Sequence, residues 1–134
     1  MCSELSFEVF KLLDVFLTLF HDIFTIWNLI AWLFKRLRKL HFYTINLTFL
    51  SWIGLGYFYG WGYCFLTDIH YQIKACVGKT NLPPSYIQLR ILELTGFLPN
   101  LEITNWTVGI SFCLIFVFSY YFFLQNKNSQ DYQI

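Results

Sequence analysis

With 134 residues, 57% hydrophobic, 22% aromatic and only 13% charged, the chain falls well below the roughly one-quarter charged content of soluble domains. A formal net charge of +1 gives nucleic acid nothing to bind, and the length allows one domain. The composition points to an all-α integral membrane bundle, residues 1–124, with transmembrane helices at about 9–34, 42–62 and 104–124. Stretches 42–62 and 104–124 each approach the roughly 20 residues that a ~30 Å hydrocarbon core demands, and 9–34 is long enough to cross it.

The first stretch is striped. Lys11, Asp14, Thr18, His21, Thr25 and Asn28 recur at alternating spacings of three and four, which places them on one helix face rising about 26 Å. An ionisable group at mid-bilayer costs about 2.5–3.5 kcal/mol, so this face is expected to meet protein, a bound group or water. Lys11, Asp14, His21 and Asn28 are the candidate intramembrane polar site. They suit a proton relay or ligand site, or ordinary polar contact between helices, and the second is the commoner use. The segment before the helix carries Glu4 and Glu8 instead of a basic region and has no small-residue cleavage site, so the first helix is expected to be retained.

Lys35, Arg36, Arg38 and Lys39 lie between the first two apolar stretches and read as a topology signal. They put that loop and the C-terminus in the cytoplasm, and the N-terminus and residues 63–103 outside. Lys74, Lys79 and Arg90 pull the other way, but the four-residue cluster directly abuts both helix ends. In the second helix, Thr44, Thr48 and Ser51 continue a line from His41, and Gly56 with Gly60 forms a Gly-x-x-x-Gly pair. Small residues permit close helix approach in lipid, so this face is expected to pack on the first helix.

The outer segment 63–103 contains two amphipathic surface helices. Thr67 and Asp68 can cap the first and Gly78 can close it. After Pro83 and Pro84, Ser85 and Gln88 read as a capping box, and Gly96 as the C-terminal turn. Ile87, Ile91 and Leu94 share one face of the second helix. Cys64 and Cys76 both fall outside, where disulfides persist. Their spacing permits a bridge, whose geometry the sequence does not set. The third transmembrane helix has only Asn105, Gly109 and Cys113 as a polar line, with Trp106 and Tyr120 and Tyr121 placed for interfacial belts. Residues 125–134 are polar and expected to be disordered.

His41 and His70 fall at opposite ends of a membrane span, roughly 30 Å apart, and cannot share a metal. A set of His21, Cys64 and His70, with Asp68 in support, is chemically acceptable but lacks compact ligand spacing, so no metal or cofactor is expected. Phosphate loops, nucleophile elbows and paired-carboxylate motifs are absent from the sequence, which speaks against a hydrolase or transferase.

The run from Gly60 to Lys74 carries a more specific pattern. Cys64, Leu66, Thr67 and His70 match a Cys-Pro-Leu-Thr motif followed three positions later by an acidic residue or histidine, with Phe65 in place of the proline. Together with His21, the basic stretch from Arg36 to His41, and Ser85-Tyr86-Ile87, this resembles a bacterial family of small integral membrane proteins, domain of unknown function 2784, over about residues 12–124. The resemblance implies a bacterial inner membrane and marks Cys64, Thr67, Asp68 and His70 as an outer turn motif. It implies no activity. The expected role is a non-catalytic subunit or accessory factor of a larger inner-membrane system, whose partners are the lipid bilayer and other membrane subunits or a second copy. The alternative is a transporter or proton-conducting unit using the first-helix stripe; redox or metal binding is a third.

Overall fold

The structure is a computed structural model describing residue 2 and residues 7–131, with side chains up to residue 128. Among the described residues it is all-helical. Helix α1 (Phe7–Ile30) ends in a 3-10 turn, Ala31–Leu33, that tightens the chain before it reverses over residues 34–37. Helix α2 (Arg38–Phe49) continues through a π-helical segment, Leu50–Leu55, into the single turn α3 (Gly56–Tyr59). It stops there because Gly60 adopts φ +112°, a conformation that only glycine enters readily. Helices α4 (Phe65–Cys76) and α5 (Tyr86–Thr95) form a cap, and α6 (Leu101–Asp131) runs 31 residues.

Helix ends differ from expectation where local hydrogen bonds decide. Helix α4 starts before Thr67 and Asp68, at Phe65, and no side chain caps it. Asp68 instead accepts the Tyr63 hydroxyl at 2.9 Å. Ser85 is the N-cap residue of α5 but makes no capping hydrogen bond, and the Gln88 side chain donates to Pro99 O at 2.9 Å instead of reaching back to Ser85. Gly78 and Gly96 do close α4 and α5 with positive φ. The capping side chain of α6 is Asn100, whose Oδ1 accepts the N–H groups of Glu102 and Ile103 at 2.9 and 3.1 Å. Of residues 125–134, expected to be disordered, 125–131 continue that helix and 132–134 lie outside the described residues.

Helix α1 packs chiefly on α4, and α2 on α6. The second contact is an antiparallel aromatic seam: Phe42 on Phe123, Phe49 on Phe116 and Trp52 on Phe112, with ring centroids 4.0, 4.7 and 4.8 Å apart. Burial is inverted relative to a soluble domain. Among the described residues the buried polar set holds Asp14, His21, His41, His70, Lys74, Gln88, Thr104 and Ser119, against six hydrophobic residues, while large apolar side chains such as Leu12, Leu47 and Val117 stand more than 60% exposed. Among the described residues one helical stretch, Leu101–Asn128, is long and apolar enough to cross a membrane.

Candidate functional site

Two polar seams run through the interior. The first, at the end of the molecule that α4 and α5 cover, is assembled by four segments, α1 among them. Asp14, Thr18, His21 and Asp22 come from α1, His70 and Lys74 from one face of α4, Lys79 from the following loop, and Tyr86, Arg90 and Glu93 from one face of α5. Spacings of three or four residues bring each set onto a common face.

Asp14 is the hub. Its Oδ1 accepts from His70 Nε2 and Lys74 Nζ, both at 2.9 Å, and its Oδ2 from Lys79 Nζ at 2.8 Å. The Thr18 hydroxyl donates to the main-chain oxygen of Asp14 at 2.7 Å, which leaves its oxygen to accept from His70 Nε2 at 3.1 Å. The His70 proton therefore sits on Nε2, and its Nδ1 is a buried atom without a partner among the described residues. From Asp14 the ion pairs continue: Lys74 to Glu93 at 3.5 Å, Glu93 to Arg90 at 2.5 Å, and Arg90 to Asp22 through a two-pronged contact at 2.9 and 2.6 Å. Tyr86 donates its hydroxyl to Asp22 at 2.7 Å, and its ring lies flat on His21, centroids 3.7 Å apart. His21 Nδ1 is also buried without a partner among the described residues.

Three carboxylates (Asp14, Asp22, Glu93) thus face three cations (Lys74, Lys79, Arg90), so the network compensates its own charge when His70 is neutral. Burial favours that state and holds the His70 imidazole below the usual histidine value, against the hydrogen bond to Asp14 that favours the cation. Burial and the hydrogen bond to Asp22 push the Tyr86 phenol far up, and burial raises Tyr71 to about 12. The hydrogen bond to Asp14 holds the Lys79 ammonium above its ordinary value. Burial works against the Arg90 charge, but its bonds to Asp22 and Glu93 outweigh burial and raise its pKa.

The second seam, toward the turn between α1 and α2, joins α1, α2 and α6. His41, fully buried, donates Nε2–H to Asn28 O and accepts the Ser119 hydroxyl at Nδ1, both at 3.0 Å. Trp27 donates to Thr44 at 2.9 Å, and the Asn28 amide reaches Thr48 at 3.4 Å.

Asp14, His21 and Asn28 of the stripe therefore point inward. Lys11 does not: it is half-exposed and pairs with Glu8 one turn away at 3.3 Å. Thr44 and Thr48 do meet α1, but Ser51 bonds to Tyr63 O and Phe65 N, each at 3.4 Å, tying down the loop after α3. Gly56 and Gly60 make no helix–helix contact face. A methyl on Gly56 would meet Trp61 and Gly62 of its own following loop, and Gly60 serves the turn. Of the outer turn motif only His70 enters the network; Cys64 and Thr67 are half-buried at the start of α4, and Asp68 is exposed. Cys76 pairs with Cys2, Cα atoms 5.4 Å apart, and Cys64 is free, so a Cys64–Cys76 bridge is not formed. Among the described residues no three His, Cys, Asp or Glu gather as metal ligands, so His21, Cys64 and His70 do not assemble.

Asp22, Lys74, Tyr86, Arg90 and Glu93 were not legible as site residues. The polar faces of α4 and α5 look like solvent faces, although the spacing of His70 to Lys74 and of Tyr86, Arg90 and Glu93 was there to read. No match emerges among curated proteins or among solved structures. The family model described as Protein of Unknown function (DUF2784) matches residues 11–123, and the chain belongs to that family.

Proposed function

We propose that the protein is a non-catalytic component of a larger membrane assembly, built on three spanning helices, α1, α2–α3 and α6, with α4 and α5 as a cap on the outer side. The observation that carries this is the self-compensated ion-pair network of Asp14, Lys74, Glu93, Arg90 and Asp22. Within this network every charge is paired with an opposite one, and the pairs fasten the cap to α1. The outward apolar circumference supports contact with lipid and with other membrane chains.

Orientation is supported by the Cys2–Cys76 bridge, which belongs to an oxidising compartment and lies on the cap side. It is supported also by Lys35, Arg36 and Lys39, all exposed at the opposite end. The location we infer is a bacterial inner membrane, N-terminus outside. Cross-linking in intact membranes followed by purification in mild detergent should give a defined higher-mass species containing the chain. A lone monomer under both conditions would overturn the proposal.

A proton-conducting role is the second reading, favoured by the partnerless Nδ1 atoms of His21 and His70 beside Asp14 and Asp22. Reconstituted in liposomes, such a protein should pass protons and lose that flux in Asp14→Asn and His21→Ala. Flux unaffected by either change removes this reading.

A further inference from the structure

Outside both seams, the inner half of α1 carries an apolar furrow. Two adjoining hollows of about 190 and 240 Å³ share Ile23 and Trp27 and extend from Phe20, beside Leu40 of α2, to Phe34 and Leu37 in the turn. The polar wall residue Thr44 is engaged on both sides: it accepts the Trp27 indole and donates to His41 O at 3.0 Å. The furrow therefore offers hydrocarbon contact alone. Along α1, from Phe20 to Ile30, it rises about 15 Å, the depth of one leaflet of a ~30 Å hydrocarbon core.

The turn that closes the furrow, residues 34–37, and the first turn of α2 hold the basic cluster. Arg38 is occupied, donating Nε–H to Trp32 O at 3.1 Å and lying over the Phe122 ring. Lys35, Arg36 and Lys39 are exposed and make no hydrogen bond or ion pair among the described residues. This contrasts with the cap, where Lys74, Lys79 and Arg90 are all paired with carboxylates. A shallow apolar furrow, open to the surface and about one leaflet long, that ends at three unpaired cations is complementary in length and charge to one class of molecule.

We propose that this furrow binds an anionic phospholipid, one acyl chain lying along α1 between Phe20 and Phe34 and the phosphate held by Lys35, Arg36 and Lys39. The proposal rests on the membrane-spanning reading of α1. A basic pocket between spanning helices at the cytoplasmic face is a recurrent way of holding acidic headgroups, each basic residue contributing about a fivefold gain in binding.

The test uses the full-length chain, delipidated in neutral detergent and titrated with phosphatidylglycerol or phosphatidylcholine of identical acyl chains, with bound lipid counted by native mass spectrometry. Phosphatidylglycerol should bind at least tenfold more tightly, and the Lys35→Gln, Arg36→Gln, Lys39→Gln triple variant should fall to the phosphatidylcholine level. Ile26→Trp, which fills an exposed wall position, should weaken binding of both lipids while leaving the unfolding temperature of the protein unchanged. Equal binding of the two lipids overturns the site. So does displacement by glycerol phosphate at the concentration at which the whole lipid competes, which would mean a headgroup contact alone, or a dimer that forms over the furrow and excludes lipid. Extraction of membranes at alkaline pH separates the failures: release of the protein would sink the spanning reading itself, whereas a retained protein without lipid preference would sink only the lipid site.

Discussion

At the scale of single residues, Lys74 has the most to lose. It is almost wholly buried with its ammonium between Asp14 and Glu93. Breaking a buried ion pair by removing one partner costs about 3–5 kcal/mol, because the other charge is left uncompensated. Lys74→Met should lower stability by that order, measured by unfolding in detergent. Pairing it with Asp14→Asn should cost less than the sum of the two single changes, since the orphaned carboxylate is then gone. His70 gives a pH test with a definite sign. Its folded pKa is depressed, so below the unfolded value near 6.5 the unfolded chain binds more protons and stability falls as pH falls. The contribution is intact above about pH 6.5 and is lost progressively on acidification. His70→Gln should flatten the stability profile between about pH 7.5 and about pH 5; an unchanged slope would show that protonation of His70 does not set the pH response.

Among the elements, the stripe on α1 was legible because helical periodicity survives in sequence, whereas what covers it was not. Asp22, next to His21, lies four residues after Thr18 at the border of the stripe, and Arg90 and Tyr86 both reach it. Periodicity reports which face is polar and says nothing of which distant helix will meet it. Glycine spacing misled for a related reason: Gly56 and Gly60 have the separation of a packing motif, but the positive φ of Gly60 ends the helix there, and the chain folds back over Gly56. The disulfide is the clearest element-scale test. The bond between Cys2 and Cys76 joins the start of the chain to the last residue of α4 across 74 positions. Cys76→Ser should lower stability by about 2–4 kcal/mol. A reductant should reproduce that loss in the native chain and add nothing in the variant, and equal sensitivity of both proteins would show that the bridge is not what the reductant acts on.

For the whole molecule, the all-helical fold followed directly from long apolar runs with little charge, and the family followed from the residues after α3. The arrangement of polar groups inside and apolar groups outside could not be read so directly, because composition is indifferent to direction. The orientation proposed above has a simple check. In a chain carrying Cys64→Ser and Cys113→Ser, an impermeant thiol reagent added to intact cells should label Thr80→Cys, whose native residue is exposed in the loop after α4. It should reach Lys35→Cys only after the membrane is opened. The reverse pattern would invert the topology, and labelling of both in intact cells would place the two loops on the same side.

The separation in sequence between the two halves of the ion-pair network bears on how the protein is made. Asp14 and Asp22 leave the ribosome long before Lys74, Lys79 and Arg90, which follow 56 to 68 positions after the groups they bond, as do His70 and Tyr86. For that interval α1 carries two carboxylates whose cap cations have not yet been made, so its polar face is completed only once synthesis has passed Arg90. The contacts that hold the first helix to the cap are thus completed by the fifth.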